Sequence, residues 1–266
     1  MWEGSPNPGP VVWLCGAIHG DEVTGTEVIQ RIFAHLKVEK LKKGKVMARL
    51  ANVIFETIIQ SKPDLVIDLH TDTMSSMAYI LMDRLTDGKE SEKALQKSIE
   101  VAEVFGVNWF FDTPLVQYIE DRGDKTLSGA LINQKKIPSF TVELGGPMVV
   151  NEEFVRIGLE GIKNILRYLG MLAAAEPAFS YERKAYLSKP YRIEEKSTVN
   201  TSGMVEYKVR AGQMVKKGQM LARIKNVFGK TEEIYRATDN ALVLSMSDYS
   251  VVFPGSDLFL LAVEEK

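Results

Sequence analysis

Val11-Val12-Trp13-Leu14-Cys15-Gly16-Ala17-Ile18-His19-Gly20-Asp21-Glu22 is the stretch on which the reading of this chain turns. Residues 11–18 are continuously apolar, without the alternation of a half-exposed strand, and so predict a strand buried on both faces. A polar turn with one histidine and two carboxylates follows at once. Thr26 to Leu36 then places Val28, Ile29, Ile32, Phe33 and Leu36 on one stripe, the pattern of an amphipathic helix. The same alternation runs onward. Leu50, Val53, Ile54, Ile58 and Ile59 predict a second helix stopped by Pro63, and Asp64–His70 predicts a second strand. Ser91–Phe105, Thr126–Lys135 and Glu152–Leu172 read as helices. Val107–Phe111 and Ser139–Leu144 read as strands, the latter ended by Gly145-Gly146-Pro147. Strand–helix alternation of this kind predicts an α/β fold with a mostly parallel sheet and helices on both faces. Ligands in such sheets sit at the carboxyl ends of the strands.

The character changes near residues 173–180. Beyond Ala178 no long helical stripe appears, and Gly, Asn and Ser punctuate short β-type runs. An internal repeat is visible there. Val215-Lys216-Lys217-Gly218-Gln219-Met220-Leu221 matches Val252-Phe253-Pro254-Gly255-Ser256-Asp257-Leu258, and the same offset takes Gly203 to Asn240 and Val205 to Leu242. Two related all-β halves packed as a small sandwich or barrel account for it. The expected division is an α/β domain over 1–175 and a C-terminal β-domain over 176–266.

Composition narrows the function classes. Of 266 residues 45% are hydrophobic and 26% charged, which excludes a disordered or fibrous chain. With 33 Lys and Arg against 35 Asp and Glu, no basic excess exists to neutralise a nucleic-acid backbone or an anionic membrane. No apolar run approaches the ~20 residues of a membrane span. The start, Met1-Trp2-Glu3-Gly4-Ser5-Pro6, lacks the basic and apolar regions of a signal peptide. The lone Cys15 cannot form an internal disulfide, so a cytoplasmic location is expected. A homo-oligomer stays open.

Two of the three histidines follow predicted strand ends. His19 precedes Asp21 and Glu22 after the first strand, and His70 ends the strand Asp64–His70. A His and a Glu three apart on one turn can close on one ion, and a ligand from a neighbouring strand completes a facial set. Zn²⁺ accepts such imidazole and carboxylate donors, and a two-His, one-Glu set leaves a position open for water. The plainer alternative is that His19 is a turn residue and that Asp21 and Glu22 cap the following helix. His35 reads as a helix-surface residue. Glu143 is out of place in the apolar run Phe140-Thr141-Val142-Glu143-Leu144. A desolvated carboxyl has a raised pKa and suits general-base work, although a Glu facing solvent before the Gly145-Gly146 turn would look the same. Asp68 lies two residues before His70, on the same strand face, where it can support the imidazole.

Taken in order, His19-Gly20-Asp21-Glu22, Ile67-Asp68-Leu69-His70 and Thr141-Val142-Glu143-Leu144-Gly145-Gly146 resemble the succinylglutamate desuccinylase/aspartoacylase family, relatives of the zinc carboxypeptidases. The resemblance extends to the C-terminal region, where many members carry a small β-domain. It implies a carboxypeptidase-like α/β core, one Zn²⁺ on His19, Glu22 and His70, and Glu143 as the general base for the attacking water. It implies N-acyl amino acids as substrates and hydrolysis of their amide bond.

The chain departs from the family in one place. Members have a long segment between the two metal-ligand motifs, with an Arg that polarises the carbonyl and an Asn-Arg pair that grips the substrate carboxylate. Here Glu22 and His70 are 48 residues apart, the chain runs directly from Ala48 to Arg49, and no Asn-Arg pair exists. Either a loop is left out of the sequence, or the segment is lacking and metal binding persists without turnover. Arg49, Arg84 and Arg122 are spare arginines to which no role transfers. A peptide-trimming carboxypeptidase and a non-catalytic metal-binding protein are the competing readings. A flavodoxin-like nucleotide binder has the wrong charge after its first strand. In the β-domain, the spacing of Gly203, Val209, Gly212, Val215, Gly218 and Leu221 is similar to that of biotinyl/lipoyl carriers, but Lys230 lacks the setting of a modified lysine.

Overall fold

The computed structural model describes residues 2–50, 54–86, 88–174, 178–182, 185, 187–194 and 198–265. The α/β part contains strands β1 (Trp2–Gly4), β2 (Val11–Gly16), β3 (Lys45–Leu50), β4 (Leu65–His70), β5 (Ser75–Ser76), β6 (Tyr79–Met82), β7 (Asn108–Phe111) and β8 (Ser139–Glu143). Its helices are α1 (Val23–Val38), α2 (Ile54–Gln60), α3 (Glu92–Phe105), α4 (Leu115–Glu120), α5 (Leu127–Lys135) and α6 (Glu152–Tyr168). After them come β9 (Tyr191–Glu194), β10 (Gly203–Tyr207), β11 (Met214–Val215), β12 (Met220–Lys225), β13 (Thr231–Arg236), β14 (Ala241–Met246), β15 (Val251–Val252) and β16 (Phe259–Glu264).

The central strands lie in the order β1-β3-β2-β4-β8-β6-β7. Pairings are parallel from β3 through β8 and again between β6 and β7, whereas β1–β3 and β8–β6 are antiparallel. This is the expected mostly parallel sheet. Its two faces differ. Val12, Leu14, Ile67, Leu69, Phe140 and Val142 point into a core shared with α1, α3 and α6. Trp13, Cys15 and Val66 point the other way, against Ile58 of α2 and Leu131 of α5. Burial on both faces explains why these strands read as unbroken apolar runs.

Local chemistry sets the helix ends. Thr126 caps α5, its Oγ1 accepting from Gly129 N, and Asn151 caps α6 by accepting from Glu153 N. Gly106 ends α3 at φ +102, a conformation that favours glycine. Against these matches stand several differences. Lys45–Leu50, whose last residue was expected to open the second helix, forms β3, inserted between β1 and β2. Its partners on both sides turn a six-residue segment into an inner strand, which local periodicity does not register. Helix α2 starts at Ile54, and Val53 lies outside the described residues. The short strands β1, β5 and β6 were not foreseen.

The internal repeat is structural. Strands β10, β11 and β12 of the first half correspond to β14, β15 and β16 of the second, and Gly218 and Gly255 take matching φ of +82 and +90. The halves interleave: β15 of the second pairs with β10 of the first, and β11 of the first with β14 of the second. Val215, Leu221, Ile224, Val243, Val252 and Phe259 are buried between the two layers. The sheet of the α/β part runs on through β9 into β16, β14 and β11, and β5 adds to β14. Ala175 and Glu176, the expected boundary, lie outside the described residues. Among the described residues, no helix is long and apolar enough to cross a membrane.

Helix α1 is seated on β4 through Gly25, where an added Cβ would lie 2.8 Å from the Leu69 carbonyl oxygen and 2.9 Å from Leu69 Cβ. Gly25→Ala is therefore expected to destabilise the chain by about 1–3 kcal/mol through overpacking. Alanine's gain of about 1 kcal/mol in a helix does not offset a clash with backbone. An unchanged urea midpoint would show that α1 can lift off β4 freely.

Candidate metal centre

The site forms where β2 and β4 end and α1 begins. After β2 the chain turns through Ala17 at φ +56, a left-handed conformation that costs a non-glycine residue about 1–3 kcal/mol and tends to occur at functional turns. His19 follows, exposed, and Glu22 takes the N-cap position of α1 with its carboxylate buried. The parallel register sets His70 of β4 beside Glu143 of β8. His19 Nδ1 lies 3.0 Å from Glu22 Oε1, and His70 Nδ1 lies 3.1 Å from Glu22 Oε2. Both imidazoles thus face one carboxylate, with their rings edge to face at 5.1 Å. One ligand atom from each of His19, Glu22 and His70 falls within 4.8 Å of the others.

The other nitrogen of His70, Nε2, is 3.1 Å from Asp68 Oδ2. A proton on Nε2 donated to Asp68 leaves the Nδ1 lone pair facing Glu22, the tautomer a metal ligand needs. Asp68 Oδ1 and Glu143 Oε2 are buried without hydrogen-bond partners. Two imidazole nitrogens and a carboxylate converging in this way fit a metal ion: the donor set is complete for a catalytic site, and a cation would relieve the buried negative charge.

The electrostatics of the metal-free arrangement follow from burial and proximity. Burial works against a charge on His70, yet hydrogen bonds to Asp68 and Glu22 and the nearby Glu143 charge push its pKa up to about 11. Burial also works against the Glu22 carboxylate, but its contacts with His70 and His19 hold it below the usual range. Glu143 is pushed up to about 8, first by burial and then by Asp72, Glu22 and Asp68, with the His70 charge opposing.

His19, Glu22, His70, Asp68 and Glu143 are thus all brought together. His35 instead pairs with Glu39 at 2.8 Å on α1. Arg84 is committed elsewhere, forked onto Glu265 at 2.9 and 3.0 Å and donating to the carbonyls of Asp112 and Thr113. Reading by residue type missed two neighbours of the site. Tyr79 sits opposite Glu143 in the β8–β6 ladder, and its hydroxyl donates to Asp72 Oδ2 at 2.9 Å. Asp72 carried a signal, being two residues past His70, whereas Tyr79 had none because β6 was not foreseen.

Glu143 holds its proton to about pH 8 in the folded metal-free chain but only to about 4.3 when unfolded. Across that window the folded state binds more protons, so this group removes stability as pH rises. Chelator-stripped Glu143→Gln is expected to gain on wild type between pH 5 and 8, by at most about 1.4 kcal/mol per pH unit. Urea unfolding at several pH values checks this, and parallel curves for the two proteins would contradict it.

Known proteins resemble this chain in sequence and in fold. The model of the succinylglutamate desuccinylase/aspartoacylase catalytic domain matches residues 42–169, which include His70 and Glu143. An N-alpha-acetyl-L-2,4-diaminobutyric acid deacetylase from Halomonas elongata is 24% identical over 294 aligned positions, covering 96% of this chain and 82% of the relative. Those positions outnumber the 266 residues here, so the relative has residues without counterpart in this chain. A product-bound structure of the ectoine utilization protein EutE (DoeB) from Ruegeria pomeroyi has a TM-score of 0.75 at 18% identity, covering 97% of this chain and 87% of that one. A succinylglutamate desuccinylase/aspartoacylase structure from Rhodobacter sphaeroides has a TM-score of 0.72 at 20% identity, covering 98% and 87%. With three motifs in order, a catalytic-domain model matching residues 42–169 and this shared fold, the chain is similar to the succinylglutamate desuccinylase/aspartoacylase family.

Proposed function

We propose that this protein is a zinc-dependent amidohydrolase that removes the acyl group from an N-acyl amino acid. His19, Glu22 and His70 would hold the zinc, and Glu143 would act as general base. The observation that carries the reading is the convergence of two imidazole Nδ1 atoms and the Glu22 carboxylate at strand ends, beside the partnerless Glu143 Oε2. Zinc bound there would supply a Lewis acid for the scissile carbonyl and lower the pKa of water.

The chain's own residues do the rest. Asp68 holds Nε2–H of His70 and so fixes the ring. Glu143 Oε2 takes a proton from the attacking water and returns it to the departing amine. A carboxyl raised to about 8 is suited to both transfers near neutral pH. Residues 1–175 carry the chemistry in this reading, and 176–266 shape the approach to it. The Halomonas elongata relative is named for removing an acetyl group from 2,4-diaminobutyrate, which places N-acetylated diamino acids first among substrates to try. The single buried cysteine suits a reducing cytoplasm.

A second reading, a metal-binding protein without turnover, rests on the chain running directly from Ala48 to Arg49. A panel of N-acyl amino acids and short peptides separates the readings and tests the carboxypeptidase alternative with them. Wild type is expected to bind about one zinc per chain, and His70→Ala to lose it. Glu143→Ala should keep the metal while turnover falls by about 10²–10⁴-fold. Unchanged turnover in Glu143→Ala would remove it as the base.

A further inference from the structure

The C-terminal region has a strand edge that the fold leaves open. Strand β13 ends the order β13-β12-β10-β15, and among the described residues no strand pairs with its outer side. Ala237, just past it, turns both backbone groups to the chain leading into β12: its N–H donates to Gln219 O, and its carbonyl accepts from Gly218 N. Backbone direction alternates along a strand, so Tyr235 also faces β12, while Arg236 and Ile234 turn their N–H and C=O outward. The side chains alternate too. Tyr235 stacks on Phe259 inside, whereas Glu232, Ile234 and Arg236 lie exposed on the outer face, Ile234 at 44%. At the start of the strand, the turn from β12 holds up Phe228 at 91% exposure.

Open edges are normally blunted by inward-pointing charge or by a bulge. The inward acid here is Glu233, and it is already satisfied: its carboxylate accepts from N and Nδ2 of Asn200 and from N and Oγ1 of Thr201. The bulge in β13 skips Glu232 and leaves 233–236 in unbroken sequence against β12.

The charges on the outer face select what can pair there. Two copies of β13 laid antiparallel, Ile234 opposite Ile234, set Glu232 of each copy opposite Arg236 of the other. A two-fold axis forms both crossed pairs at once. Moving the axis to Glu233 would instead oppose the two Glu233 side chains and bring Lys230 against Arg236. Moving it to Tyr235 would leave Glu232 against Thr238 and Arg236 against Ile234. The Ile234 register matches charge to charge and also brings together the outward N–H and C=O of Ile234. Arg236 is available for it: Nη1 donates to Gly218 O at 3.0 Å, and among the described residues the guanidinium meets no carboxylate. We propose that a second copy of this chain pairs with β13 about a two-fold axis at Ile234, continuing the sheet from one copy into the other. This goes beyond the deacylase reading and does not depend on it. One short strand and the Phe228 turn make a small interface, so the dimer is expected to be concentration-dependent.

Sedimentation velocity of the full chain over a range of concentrations tests this. Wild type is expected to pass from monomer to dimer. Glu232→Arg and Arg236→Glu should each raise the dimer Kd by about tenfold, because each puts like charges opposite one another twice. The double variant should regain wild-type association. Ile234→Pro removes an outward N–H that β12 does not use, so it should abolish the dimer while an unchanged urea midpoint shows the fold intact. Opposed Cα atoms of a hydrogen-bonded antiparallel pair lie about 5.5 Å apart, within disulfide range. Oxidised Ile234→Cys should therefore give a covalent dimer and Thr231→Cys should not, with the buried Cys15 as a silent background. A chain that stays monomeric at every concentration would overturn the proposal. So would a dimer that none of these substitutions weakens, or one that the double variant fails to restore.

Discussion

The buried carboxylate of Glu22, held between the Nδ1 atoms of His19 and His70, is the contact on which the site depends. It joins the turn after β2, which carries both His19 and Glu22, to the end of β4. Its position follows from packing. Helix α1 can approach β4 closely only because Gly25 has no side chain against Leu69, and this seats the helix N-terminus over the strand ends. Strand parity then does the rest. Asp68 and His70 share a face of β4, while Leu65, Ile67 and Leu69 fill the core on the other, so the imidazole and its supporting carboxylate emerge together.

Placing several carboxyls around these strand ends has a cost that the fold bears. Burial, with Asp72, Glu22 and Asp68 beside it, keeps Glu143 protonated well above the ordinary range. A similar tension exists farther along the sheet, where burial and nearby acids raise Asp83 to about 7 against the opposing hydrogen bond from Tyr118. Such concentrations of buried acid destabilise a chain and are retained where a cation or a proton transfer uses them.

The C-terminal half is more than an appendage. Its repeat gives two interleaved sets of three strands that bury a common core, yet β14 also reaches back to pair with β5, which follows His70 by only a few residues. The Arg84–Glu265 fork fastens the last strand to the α/β part by a second route. These two attachments hold the C-terminal strands against the α/β part at two separate places.

Much of this was legible in the order of residues. Continuous apolar runs followed by polar strand ends identified β2, β4 and β8, and the three motifs at those ends named the residues that meet in space. The repeat at a constant offset predicted the β-region, since equivalent residues must occupy equivalent places in two copies of one motif. What failed was whatever depends on a neighbour. Lys45–Leu50 carries no strand pattern of its own until β1 and β2 flank it, and β5 is a strand only because β14 offers it an edge. Tyr79 carries no local mark at all. Sequence by itself determined the layered α/β class and which residues gather at the strand ends, because burial and chemistry write themselves into residue type and spacing. Only tertiary structure decided that β5 would take its edge from β14 and that Tyr79 would stand opposite Glu143, because those contacts join segments that no periodicity relates.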